Sequence, residues 1–320
     1  VKRRDALIWT AALIALATVA PYFLYPVFLM RALCLALFAC SFNLLLGYVG
    51  LLSFGHAAFM GSAAYITAYT AKTWGWPPEI GIIAGVGVAA ALGLVFGWLA
   101  IRRQGIYFAM ITLALAQMVA FFAVEAPFTG GEDGIQAVPR GHLLGVIDLN
   151  DPLTMYYFVL VVFLFGFAII QRTINSPFGQ VIKAIRENEP RATSLGYRAD
   201  RYKLLVFVLS AALAGLAGST KALVLQLASL TDVDWTTSGQ VVLMTLVGGA
   251  GTLLGPVVGA FIIVTMENYL AQMGSWVTII EGVIFVVCVL TFRSGVVGVL
   301  LPYFTSSARP AAAEPSTEIS

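Results

Sequence analysis

Charge is what this 320-residue chain has least of: only 11% of its residues are Asp, Glu, Lys or Arg, against roughly 25% in soluble domains. With 60% hydrophobic residues and a mean hydropathy of +0.91, the polar surface is too small to cover a water-facing globule, and a soluble fold is excluded. Cysteine is almost missing as well. Cys34, Cys40 and Cys288 each lie inside an apolar run, which suits small buried thiols and neither a disulfide framework nor a metal site. No G-x-x-x-x-G-K-S/T loop occurs, so the chain cradles no nucleotide phosphates. No polar stretch is long enough for a soluble second domain. The net charge of +2 gives no ground for a nucleic-acid partner.

What the chain has instead is a succession of apolar runs. They fall at 6–24, 27–46, 50–71, 79–101, 105–124, 153–171, 204–225, 239–249, 250–272 and 275–292. The run at 239–249 is too short to cross alone, since a span needs about 20 residues. Counted as a crossing or half-crossing, it brings the total to about ten. The expected fold is therefore an all-α integral membrane protein, a polytopic helical bundle embedded in lipid over residues 1–304. The first run, with Ala15-Leu16-Ala17 inside it, has some features of a signal peptide. It continues past that site to Pro21 and Tyr22 and is read as a retained span. The tail at 305–320, rich in Ala, Pro, Ser and Thr, reads as a disordered cytoplasmic segment.

Sidedness comes from the basic residues. Seven of them, Arg172, Lys183, Arg186, Arg191, Arg198, Arg201 and Lys203, crowd into the polar stretch 172–203. Together with Lys2, Arg3, Arg4, Arg102, Arg103, Arg293 and Arg309 they put 14 of the 18 on one side, which the positive-inside rule makes the cytoplasm. Both termini are then cytoplasmic, and the acidic loop 125–152 is external. The 172–203 loop is patterned, not merely solvated. Phe178, Val181, Ile182 and Ile185 recur at helical spacing. Pro190 at a first-turn position and Gly196 beyond the end mark a second short helix, with Glu189 in front of it. Two short helices on the cytoplasmic side form a docking surface.

Glycine supplies the remaining signals. Patterns such as Gly93-xxx-Gly97 and Ala211-xxx-Gly215 let helices approach closely in lipid, and they read as bundle packing. The cluster Gly248-Gly249-Ala250-Gly251 ahead of Pro256 differs, because it should break a helix at membrane depth. Such breaks are tolerated where backbone is buried in protein or lines a cavity, and transporters place solute sites there. A matching break in the first half runs from Gly47 through Ser53 and Gly55 to His56. Ser53 and His56, three apart, are read as sharing a helix face with Phe59 and Met60. His56 is open to two readings, a pathway group or a hydrogen-bonded packing residue. Glu267, Glu281 and Lys221, near outer span ends, read as snorkelling to the interface.

These motifs, in this order, resemble the permease subunits of branched-chain amino-acid ABC importers of the LivM type. The resemblance rests on Gly47-Tyr-Val-Gly-Leu-Leu-Ser-Phe-Gly-His56, Thr129-Gly-Gly-Glu-Asp-Gly134, the loop from Ser176 through Glu189, Arg201-Tyr-Lys-Leu-Leu205 and Gly248 to Pro256. It covers roughly residues 43–300. It implies a type II-like importer permease in a bacterial inner membrane, working with two ABC ATPase subunits, a second related permease and a periplasmic solute-binding protein. The chain itself would bind no cofactor, and ATP and Mg would be used by the ATPase partners. The stretch 187–196 would include the coupling helix. Glu187 and Glu189 would give the dock specificity, Pro190 would set its entry angle, and Arg191, Ala192 and Leu195 would offer contacts, with Gly196 closing the turn. Ser53, Gly55, His56, Thr112, Gln117, Thr245, Gly248, Gly249 and Gly251 would line the solute path. Weakly polar groups of this kind suit a hydrophobic amino-acid zwitterion passing without a tight site, and suit urea or short amides equally. Two other classes are weaker. An ATP-independent channel or secondary transporter would want mid-span carboxylates, and an intramembrane hydrolase would have only Ser53 and His56 to offer.

Overall fold

The structure, a computed structural model, describes residues 17–143, 145, 147–270 and isolated positions between 279 and 298. Most of the expected spans at 6–24 and 275–292, the tail at 305–320, Cys288 and Glu281 lie outside these residues. The helices are α1 (Pro26–Leu46), α2 (His56–Thr73), α3 (Pro78–Ala100), α4 (Ile106–Glu125), α5 (Pro152–Asn175), α6 (Pro177–Glu187), α7 (Glu189–Ser194), α8 (Ala199–Leu225), α9 (Trp235–Gly248) and α10 (Gly255–Leu270). Proline stands in the first turn of α1, α3, α5, α6 and α7, where its missing N–H costs nothing. Asp151, Ser176, Asn188 and Asp234 cap α5, α6, α7 and α9 with their side chains, each satisfying an orphan N–H.

Five of the described helices, α1, α3, α4, α5 and α8, are long and apolar enough to cross a membrane. The ten expected crossings are thus reduced, among the described residues, to these five, the buried helix α2 and the antiparallel pair α9–α10. One expected boundary moves. The run at 50–71 is helical only from His56, so Ser53 precedes α2 and shares no helix face with His56. The acidic loop at 125–152 carries short strands as well as turns. Ile135–Gln136 pairs with Leu227–Ala228, and His142–Leu143 with Ile147–Asp148, as two-residue antiparallel ladders. Rich in glycine and without helical periodicity, this segment satisfies its backbone across the chain. The Asn150 backbone N–H, 2.9 Å from Asp148 Oδ1, holds the exposed Asp148 carboxyl below the usual range.

The layering places α1 at the centre. Its apolar window is 89% buried, against 28% for α4, so α1 packs protein on all sides while α4 lies at the rim. α8 is the second axis, packed on α1, α2 and α3. Small residues bring these helices together. A side chain at Gly93 would meet Ala211, one at Gly215 would meet Ala89, and one at Gly218 would meet the Met60 carbonyl. The small-xxx-small patterns are therefore packing devices.

Among the described residues, the cations away from the loop end are engaged. Arg31 Nη2 lies 2.6 Å from Glu267, Lys221 Nζ lies 2.5 Å from Asp232, Lys72 donates to the Gln136 carbonyl, and Arg140 to those of Leu223 and Val224. Glu267 also accepts from Gln240. Neither Glu267 nor Lys221 snorkels as expected. Their side chains are each only 14% exposed, and a charge this enclosed needs a partner.

Candidate functional site

The first break begins where α1 ends at Gly47 and runs back into the bundle, so that α2 starts at the depth of Ser41 and Ser210. Irregular backbone at that depth must have its polar groups satisfied by the protein. Three hydroxyls from three elements do this. Thr112 of α4 accepts from the Phe54 N–H at 3.2 Å, Ser53 from the Gly55 N–H at 3.2 Å, and Ser238 of α9 from the Ala57 N–H at 3.0 Å. Gly55 has no room for a side chain, since a Cβ there would lie 2.9 Å from the Thr112 carbonyl oxygen. Ser53, Gly55 and Thr112, all buried, therefore form one cluster whose hydroxyls hold the re-entrant chain.

His56 stands beside that cluster. Its Nε2 is 2.8 Å from Ser210 Oγ, and the Ser210 hydroxyl donates its single hydrogen to the Ser41 carbonyl at 2.5 Å. Ser210 can then only accept from the ring, which fixes His56 as the Nε2–H tautomer. Nδ1 has no partner. Phe38, Phe42, Phe59 and Phe207 surround the ring, with centroids 5.1–6.4 Å away. His56 thus ties α1, α2 and α8 together. Ser53 bonds elsewhere, so the nucleophile–base pair that an intramembrane hydrolase would need is not formed.

The second break lies against the first. α9 ends at Gly248, and Gly249 and Gly251 take positive φ of +119° and +82°, open to glycine at little cost. α9 and α10 meet backbone to backbone here: a side chain at Gly248 would strike the Gly255 carbonyl, and one at Gly259 the Met244 carbonyl. Asn43 of α1 bridges to this turn, its Oδ1 accepting from Gly251 N at 2.9 Å and its Nδ2 donating to the Thr252 carbonyl at 2.8 Å. A Cβ at Gly47 would lie 2.6 Å from the Gly251 nitrogen. The two glycine breaks are therefore in contact. Thr245, one turn earlier, donates to the Val241 carbonyl at 2.8 Å and packs on α1 at Ala39.

Below the breaks lies the polar loop. α6 turns Ile182 and Ile185 inward, as its spacing predicts. The cap of α7 is Asn188, whose Oδ1 accepts from the Arg191 N–H at 3.0 Å, and Glu189 is the first helical residue, not a group in front of the helix. Glu189 Oε1 pairs with Lys203 Nζ at 2.6 Å, and its Oε2 accepts from Gln104 at 2.6 Å, so this carboxylate ties the loop to α8 and to the α3–α4 turn. Ala192 is 3% exposed and packs with Ile185 and Ala199. It holds the loop's own small core and offers nothing to a partner, because α7 is amphipathic on so short a scale that one of its residues must face inward. Glu187, Pro190, Arg191 and Gly196 are exposed, Leu195 is 72% exposed and Tyr197 40%.

Gln117 does not join the cluster. It lies on the exposed face of α4, beside Ala114 and Met118. A cavity of about 470 Å³ opens at the opposite end of the bundle, between Tyr69, Lys72, Phe128 and Gly134, away from every expected pathway residue. The residues that sequence reasoning missed are Asn43, Ser210 and Ser238, and Arg186, expected at the dock, reaches the first break instead. Each acts on a chain segment far from it in sequence, and only the polar character of Asn43 and Ser210 within apolar runs gave a signal.

Comparison with known proteins follows the same lines. Residues 26–292 match the family described as branched-chain amino acid transport system / permease component. The chain is 26% identical over 288 residues to the high-affinity branched-chain amino acid transport system permease protein LivM of Escherichia coli K12, covering 81% of this chain and 67% of that one. It is 25% identical over 225 residues to a probable LivM of Methanocaldococcus jannaschii, covering 65% and 63%. It is also 28% identical over 195 residues to the ribose import permease protein RbsC of Bacillus subtilis, covering 56% and 58%. No solved structure matches.

Proposed function

The chain belongs to the branched-chain amino acid transport system / permease component family, and from that premise we propose that it carries branched-chain or other hydrophobic amino acids across the inner membrane for separate ATPase subunits that dock on the 172–203 loop. It is a permease of an ABC-type transport system and a multi-pass membrane protein. The observation that carries the proposal is the pairing of an enclosed transmembrane core with a folded loop whose outward residues include a large apolar side chain, Leu195, beside Arg191 and Tyr197. An exposed Leu flanked by a cation and an aromatic is the composition of a docking patch.

In this reading a solute-binding protein delivers the solute at the end carrying the 125–152 loop, and a second related permease completes the path. ATP and Mg act in the partner subunits. Alternating access follows when the partner's movement shifts the loop and the segments around the two glycine breaks reopen to the other side. The hydroxyls of Ser53 and Thr112 are engaged by backbone, so a solute would meet a weakly polar wall, which suits a zwitterion in transit. One relative is a ribose import permease, and ribose enters as a competitor.

The test is uptake of radiolabelled leucine into proteoliposomes holding the complex co-purified through this chain, with its binding protein supplied outside. Leucine uptake that requires ATP supports the proposal. Uptake of ribose or urea and not leucine would keep the permease and replace the solute, and leucine uptake without ATP would replace the importer with a carrier.

A further inference from the structure

Arg186 sits in the last turn of α6, two residues before the Asn188 that caps α7. Its guanidinium reaches upward and donates through Nη1 to the carbonyl of Gly47, the residue that ends α1. The same Nη1 lies 3.5 Å from the space a side chain at Gly251 would fill, and its Cγ lies 3.3 Å from that of Gly50. One turn earlier on α6, Lys183 places its ammonium 5.7 Å from the centre of the Tyr48 ring. Asn43 completes the junction by bridging to Gly251 and Thr252. Three segments remote in sequence, around 47–50, 183–188 and 249–252, thus converge on one guanidinium.

The chemistry suits arginine. The C-terminal carbonyls of α1 carry partial negative charge, which a cation complements, and a planar fork can serve more than one carbonyl from a fixed position. Glycine at 50 and 251 leaves the room it occupies. We infer that Arg186 is a positioning residue for transport, holding both glycine breaks in register with the docking loop so that a displacement of α7 reaches both breaks through a single side chain. This rests on the proposed function and adds to it the residue through which force would enter the membrane core.

The experiment measures leucine taken up per ATP hydrolysed by the full complex in proteoliposomes, for the wild type, Arg186→Gln, Arg186→Lys and Arg102→Gln. Loss of one charge-assisted hydrogen bond corresponds to about a tenfold change in an equilibrium, so Arg186→Gln is expected to lower the uptake-to-hydrolysis ratio by about that factor while the ATPase subunits still co-purify. Arg186→Lys keeps a charged donor and is expected to recover part of the ratio. Arg102→Gln removes the same charge from the exposed α3–α4 turn, outside the junction, and is expected to keep it within about twofold. An unchanged ratio in Arg186→Gln would overturn the inference. Loss of assembly in both Arg186 variants would overturn it too, making the side chain a structural clasp. A wild-type complex with no ATP-dependent leucine uptake would instead remove the proposed function on which the inference stands.

Discussion

Replacing Gly248 with alanine should destabilise the permease, although alanine is the better helix former. A Cβ at Gly248 would fall on the Gly255 carbonyl and lie 3.0 Å from the Gly259 nitrogen. Both obstacles are backbone, so no side chain can rotate away and the two helices must separate. Overpacking of this kind costs about 1–3 kcal/mol, at the upper end where backbone has to move. Against it stands the helical preference of alanine over glycine, at most about 1 kcal/mol, and less at Gly248 because it is the last residue of α9. The net expectation is a loss of about 1–2 kcal/mol. Gly87 of α3 gives the opposite sign, since among the described residues nothing lies within 4 Å of a Cβ there, and alanine should be neutral or slightly stabilising. The assay is apparent melting of the purified permease, followed by fluorescence-detected gel filtration. Gly248→Ala should melt several degrees below the wild type and Gly87→Ala at or above it. A Gly248→Ala protein as stable as the wild type would refute the backbone-contact reasoning.

Further outcomes follow from the loop and its surroundings. Glu189→Gln should leave Lys203, whose side chain is 5% exposed, as an unpaired buried charge at a cost of several kcal/mol; trypsin should then cut at Arg198 or Arg201 much faster, and Glu189→Leu with Lys203→Leu should restore resistance. Leu195→Ala should leave melting within about 0.5 kcal/mol of the wild type and reduce co-purification of the ATPase subunits, whereas Ala192→Arg should unfold the loop itself because Ala192 is buried; unchanged co-purification for Leu195→Ala would move the dock elsewhere. A cysteine replacing Thr193 should react only with reagent applied from the cytoplasm, and one replacing Glu132 only with reagent from outside. Glu132 is preferred to Gly134, where a side chain would meet the Ala228 carbonyl at positive φ.

The helices were legible where one local cause decides them. Apolar runs of spanning length became α1, α3, α4, α5 and α8, and the helical spacing of Phe178, Val181, Ile182 and Ile185, then Pro190 with Gly196, announced the two loop helices. The site was legible only as a list. Ser53, Gly55 and Thr112 do meet, but as hydroxyls and space that hold a re-entrant chain, while Gln117 turns away and His56 is absorbed by Ser210 and four aromatic rings. What no local pattern could reveal is pairing across distance. Arg186 meets Gly47 from 139 residues away and Arg31 meets Glu267 from 236. Helical period tells which face a residue occupies and not which element will cover that face. Ala192 shows the limit on the smallest scale, since one turn of helix has too few residues for its inward side to be read.

The enclosure of α1 carries a consequence for how the protein is made. Its partners α8, α9 and α10 are encoded some 150 to 225 residues later, and at about 5–20 residues per second the ribosome takes roughly 10–40 seconds to deliver them. For much of that interval the helix destined for the centre has, besides α5, only lipid or the insertion machinery as company. Its surface must therefore satisfy two environments in succession. Beyond Arg31 near its start, a run of Leu, Ala, Phe and Cys is broken only by Ser41, whose hydroxyl donates to the Phe38 carbonyl within the helix, and by Asn43; that suits the first, and the Asn43 side chain becomes useful only in the second. Asn43 waits for Gly251 and Thr252, and the Ser41 carbonyl for Ser210. The late bonds of two early residues are thus a built-in check that the last helices have arrived.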